Sequence, residues 1–179
     1  MNLTEKAETK KTFGFIVNPV AGMGGAVGLK GTDGKAILDK AIALGAKPIA
    51  AARAEVFLSE LSPIKNNINL IVGAGDMGET QAEKCGFACK VFGEKKHTTN
   101  SLDTKNIAQE MLKAHVDLLV FCGGDGTSRD ILKAVDSKLP VLGVPTGVKM
   151  HSAIFAVNPQ AAARVAYSFL RGELPLREA

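Results

Sequence analysis

Apolar positions along this chain follow two patterns that alternate. Short continuous apolar runs read as strands covered on both faces. They are FGFIVN (13–18), INLIVGA (68–74), ACKVFG (88–93), DLLVFCGG (117–124) and LPVLGVP (139–145). Helical spacing fills the gaps. It covers 34–46, where Ile37, Ala41 and Leu44 recur and Gly45 offers a stop, then 53–61, 77–86 and 98–116, where Ile107, Met111 and Leu112 share a face. Two more helices come after these, over 125–135 and 158–172. The last has Asn158 as cap, Pro159 in the first turn and Gly172 just past the end. Strand–helix alternation predicts an α/β fold: a three-layer αβα sandwich around a mainly parallel sheet of about five or six strands. Residues 1–12 are polar and read as a flexible leader, 13–172 as the domain, and 173–179 as the start of a linker.

Composition narrows the classes without choosing a function. A hydrophobic share of 46% against 22% charged residues is that of an ordinary globular chain. The net charge of +4 is mild and comes with no basic block, which disfavours nucleic acid and is compatible with small anionic ligands. No apolar run approaches the roughly 18 residues of a membrane span, and the N-terminus lacks the apolar core of a secretory signal. Cys85, Cys89 and Cys122 form an odd set with no second pair to complete a metal site. They read as reduced thiols of a cytoplasmic protein, with Cys122 packed in its strand.

The loops carry the chemistry. In a parallel sheet ligands sit beyond the carboxyl ends of the strands. Glycine-rich loops follow strands at 19–34, 73–78 and 123–127, and a fourth loop, PTGVKM, spans 145–150. In FCGGDGTSRD (121–130), Gly123 and Gly124 let backbone approach a ligand, and Gly126 and Thr127 open a helix whose free amides favour phosphate. Asp125 adds a negative charge beside that cradle. This is unhelpful for affinity alone, but it fits a carboxylate that binds a phosphate-bridging metal or accepts a proton from an attacking hydroxyl. A plain helix-capping Asp is the structural alternative. Lys30 and Lys149 stand in two of the loops and would neutralise phosphate charge, or else be ordinary surface lysines. Asp103 and Asp130 are candidate second carboxylates. His151 would stand at a helix start near the phosphates or be a structural helix-terminal residue, and Thr98 and Thr99 would reach a nucleotide or serve only as helix-entry residues.

A second glycine pattern points elsewhere. LIVGAGDMGE (70–79) places Gly73, Gly75 and Gly78 at the spacing of a dinucleotide fingerprint, and Glu94 stands at the distance of a ribose-binding acid. A whole strand–loop–helix set precedes this segment, however, and GGDGT lies downstream of it instead of a hydride-transfer site. These glycines are therefore expected to be turns along the ligand edge that touch a nucleotide, and Glu94 loses the ribose role.

GGDGT after a buried strand resembles the superfamily of NAD kinases, diacylglycerol and sphingosine kinases, and phosphofructokinases. FIVNPVAGMGG (15–25) is similar to the Asn-Pro loop of the NAD kinase and lipid kinase branches. Together with GLKGTDG (28–34), GAGDMGE (73–79), TTNSLDTKNIAQEM (98–111) and GVPTGVKMHSAIFA (143–156), it resembles a predicted ATP- or polyphosphate-dependent NAD kinase branch found in prokaryotes. The resemblance covers about residues 13–172. It implies phosphoryl transfer from ATP or polyphosphate to the 2′-hydroxyl of NAD. It further implies Asp125 as the catalytic carboxylate with Mg2+ or another divalent cation, Gly123, Gly124, Gly126 and Thr127 on phosphates, and Asn18 and Gly22 on the nucleotide side.

Members of that family also carry a β-rich C-terminal domain with an Asn-Glu or Asn-Asp pair, and no such pair occurs in this chain. The expectation is thus an N-terminal domain that needs the missing C-terminal domain for activity and is inactive alone. A homo-oligomer would fit the family. Two other readings remain open: a kinase of another small hydroxyl substrate, and a non-catalytic nucleotide-binding or assembly module.

Overall fold

The central strand starts earlier than its apolar run. In the computed structural model, which describes residues 10–29, 35–147 and 150–177, β1 spans Lys11–Val17. Its two polar entry residues are held by Asp117: Lys11 Nζ lies 2.9 Å from one carboxylate oxygen and the Thr12 amide donates to the other at 2.8 Å. Residues 1–9 of the expected leader, Lys30 and Lys149 lie outside the described residues.

Four further strands are β2 (Ile68–Gly73), β3 (Cys89–Phe92), β4 (Leu118–Gly123) and β5 (Val141–Pro145). They form one sheet with β1 in the order β3-β2-β1-β4-β5, with every pairing parallel. Phe13 sits opposite Leu70 on one side and Leu118 on the other. The strand count among the described residues is five. Beyond β5 the chain makes an isolated parallel bridge from Phe155 to Gly143, an outline of a sixth strand without its length.

The helices are α1 (Met23–Ala26), α2 (Lys35–Ala43), α3 (Ala50–Leu61), α4 (Glu79–Lys84), α5 (Ser101–Lys113), α6 (Asp125–Val135) and α7 (Pro159–Leu170). α1 lies inside the first glycine-rich loop: Gly22 turns the chain at φ 84°, and Met23 and Gly24 are buried. α5 starts three residues later than its spacing predicts, because Asn100 caps it and Asp103 accepts from the Asn100 amide in return. No helix begins at Thr98, Thr99 or His151, which corrects the helix-entry readings there. The Asn158 cap and Pro159 start of α7 are as expected.

Alternation along β1 divides the core. Phe13, Phe15 and Val17 face the layer of α3, α4 and α7, with Phe15 stacked on Phe57 at 5.4 Å between ring centres. Ile16 faces α5 and α6, among Ile107, Met111, Ile131 and Val135. Helices on both faces of one parallel sheet make the three-layer αβα sandwich. Among the described residues no helix is long and apolar enough to cross a membrane.

Candidate functional site

The strand order reverses between β1 and β4. The chain leaves β1 towards α3 on one face and leaves β4 into α6 on the other, so a crevice opens between them at the carboxyl ends. The loops on either side are tied together. The Asn18 backbone amide donates to the Cys122 carbonyl at 2.9 Å, and the Asn18 side chain donates from Nδ2 to Thr127 Oγ1 at 3.0 Å. The Asn18 side-chain oxygen also accepts from the Val20 amide, which fixes the turn after Pro19.

On the β4 side the two glycines have different tasks. A Cβ on Gly123 would stand 2.6 Å from Thr127, so that glycine makes room for the buried threonine. Gly124 faces open space, with Met150 Cε no nearer than 4.0 Å. It is extended and caps α6 without a side chain. The first intrahelical bond runs from the Ser128 amide to the Gly124 carbonyl, which leaves the amides of Asp125, Gly126 and Thr127 without a backbone acceptor among the described residues. That is the arrangement at which a phosphate binds.

Asp125 is half-buried in the first turn of α6, and the segment after β5 holds it. The His151 amide donates to both carboxylate oxygens and the Ser152 amide to one, all at 3.2 Å. These long bonds fix the carboxylate while leaving lone pairs for a ligand. The candidate second carboxylates are engaged elsewhere: Asp130 pairs with Lys105 at 3.1 Å. Asp103 sits in the α5 cap with Lys96. Burial pushes the Asp103 carboxyl up, but the bonds from Lys96 and the Asn100 amide, with the charge of Lys96, together hold it below the ordinary range.

The chain matches the ATP-NAD kinase N-terminal domain over residues 13–174. It belongs to the ATP-NAD kinase family. No curated protein matches it. Membership makes this a kinase-like nucleotide-binding domain, and the crevice between β1 and β4 is where a sheet of this order offers its ligand edge.

The predicted residues divide into three groups. Asn18, Gly123, Gly124, Asp125, Gly126 and Thr127 come together at the crevice. Gly22 is close by but packed inward: a Cβ there would lie 2.3 Å from the Thr146 carbonyl, so it serves the contact between two loops. Lys30 and Lys149 lie outside the described residues. Of the fingerprint glycines, Gly75 and Gly78 turn the chain at φ 57° and 141°, whereas Gly73 is the last residue of β2, paired with Phe92, which corrects the expected turn there. Glu79 Oε2 accepts from the Gly75 amide at 2.6 Å, occupying a donor that a pyrophosphate would need. Two features escape sequence reasoning. One is the pair of amides at His151 and Ser152, which carry no side-chain signal. The other is Thr146, 1% exposed, whose hydroxyl has no partner among the described residues.

Proposed function

We propose that the crevice binds the phosphates of ATP or polyphosphate and directs one phosphoryl group onto the 2′-hydroxyl of NAD. The observation that carries this reading is the Asn18–Thr127 bond, which locks the Asn-Pro loop to the first turn of α6 beside Asp125. Family membership supports the reaction type. Phosphoryl transfer needs positioning and charge neutralisation more than covalent chemistry, and open amides next to a held carboxylate supply the first of these.

The donor set bears on the cation. Among the described residues no group of three His, Cys, Asp or Glu is placed to hold a metal. A single carboxylate does fit Mg2+, which is commonly held by one or two carboxylates together with substrate phosphates. Asp125 would be its protein ligand where it does not serve as the base, and the cation would neutralise phosphate charge. In the transfer itself the acceptor oxygen attacks the terminal phosphorus and the bond to the bridging oxygen breaks. ADP or a shortened polyphosphate leaves, and the hydroxyl proton passes to Asp125. The domain's place at the N-terminal side of its family's architecture supports a further β-rich domain that completes the NAD site. The free thiols of Cys85, Cys89 and Cys122 support a reducing, cytoplasmic setting.

The test is NADP formation from NAD with ATP or polyphosphate and Mg2+, in a protein that joins this domain to the β-rich one. Asp125→Asn is expected to lower kcat by about 10²–10⁴-fold. Unchanged turnover in that variant would remove the proposed role of Asp125.

A further inference from the structure

The helix on the other side of the crevice is also open at its start. The amides of Ala50, Ala51 and Ala52 in α3 meet no carbonyl among the described residues, and the residue before them, Ile49, has no side chain able to cap them. The Arg53 amide makes the first intrahelical bond, to the Ile49 carbonyl at 3.1 Å. This end of α3 adjoins the ligand edge, because the Cys122 thiol donates to the Ala50 carbonyl at 3.3 Å.

Two side chains at this end lack partners. Arg53 is half-buried and has no carboxylate counterpart among the described residues, although its charge is felt at the Cys122 sulfur. A partly desolvated guanidinium without an anion is left short of compensation. Thr146 is buried, and its hydroxyl has neither donor nor acceptor among the described residues. Its position is fixed from two directions. The Thr146 amide donates to the Gly123 carbonyl at 3.1 Å, and the Thr146 carbonyl closes on Gly22 at the point where Ile49 also arrives. Thr146 therefore stands between the glycines that lead into α6 and the residue that precedes α3.

We propose that Arg53, Thr146 and the first amides of α3 form a second phosphoryl subsite, across the switch point from the cradle at α6. A ligand that fills both is a polyphosphate chain, either free or as the triphosphate of a nucleotide. The inference rests on the phosphotransferase reading and adds to it the residues that hold a second phosphoryl group of the donor. One phosphoryl group lies on α6 next to Asp125, and a neighbouring group supplies the anion that Arg53 lacks and the acceptor that the Thr146 hydroxyl lacks. Both helix N-termini favour negative charge.

Titration calorimetry of the full chain with inorganic tripolyphosphate, ATP and orthophosphate tests this. Arg53→Ala is expected to weaken tripolyphosphate about 10–100-fold, as for loss of a charged hydrogen bond, with little change for orthophosphate. Thr146→Val is expected to weaken it about 2–10-fold while raising the unliganded melting temperature by about 2–4 °C, because a buried hydroxyl without a partner is removed. A purely structural threonine would not give those opposite signs. Gly124→Val, whose side chain enters open space before α6, serves as the control for the first cradle. The same losses with ATP assign the subsite to a nucleotide's triphosphate, and losses with tripolyphosphate alone assign it to the free chain. If Arg53→Ala and Thr146→Val bind like wild type while Gly124→Val does not, the second subsite is wrong and the first cradle stands. If the wild-type chain binds neither polyphosphate nor ATP, both fall.

Discussion

At Gly22 the loop after β1 and the loop after β5 come within touching distance. A methyl group there would meet the Thr146 carbonyl at 2.3 Å and Ile49 Cδ1 at 2.8 Å, on a backbone already at φ 84°. Gly22→Ala is therefore expected to cost about 2–3 kcal/mol from overpacking and left-handed strain. Urea unfolding reads the value, and stability equal to wild type would count against so close a contact. Residues of this kind show the limit of pattern reading. Asp125 and Asn18 are legible because they sit at fixed offsets in glycine-rich loops after strands. Glu79 is not, since nothing in GAGDMGE indicates that its carboxylate turns back to the Gly75 amide. Thr146 is not either, because a hydroxyl becomes an orphan only through burial by distant residues.

Element boundaries are legible where the chemistry of the ends is local. α7 and α6 start where Asn158 and the GGDGT glycines indicate, and α6 ends at Asp136 in a left-handed turn at φ 48°. α5 is shorter than its spacing suggests because its start signal is reciprocal: Asn100 and Asp103 cap each other, and that choice excludes Thr98 and Thr99. This cap has a pH signature. The Asp103 carboxyl is depressed in the folded state, so its contribution is fully present above its ordinary pKa of about 4 and is lost as pH falls through the lower folded value. Asp103→Asn is expected to destabilise by about 1 kcal/mol or less at pH 7, and the gap should close in strong acid. Urea midpoints of both proteins at neutral and acidic pH give the comparison; a gap that persists unchanged would refute the assignment.

At the scale of the whole molecule, alternation of strand and helix is enough to predict the three layers and the parallel sheet. It does not predict the order β3-β2-β1-β4-β5. That order depends on which face each crossover takes, and the apolar faces of α3 and α6 read alike along the chain. The consequence of the order is a crevice with a helix start on each wall. A ligand bridging the two walls stabilises the folded chain by mass action. At a concentration of 100 Kd the gain is about 2.7 kcal/mol, which corresponds to roughly 5–10 °C in melting temperature for a chain of this size. Thermal scans with tripolyphosphate and Mg2+ should show this rise in wild type and lose it in Gly124→Val.

The Asp117 clasp on Lys11 and Thr12 also bears on how the chain comes to fold. β1 is the first strand of the sheet to be synthesised, yet it lies in the middle and pairs with β4 through Phe13–Leu118 to Val17–Cys122. Until those later residues leave the ribosome, one edge of the central strand is unpaired and apolar. Distant pairing of this kind slows folding and exposes intermediates to aggregation. Asp117, the residue before β4, is bonded to Lys11 and Thr12 at the polar start of β1, and these bonds hold only in the register in which β1 and β4 pair.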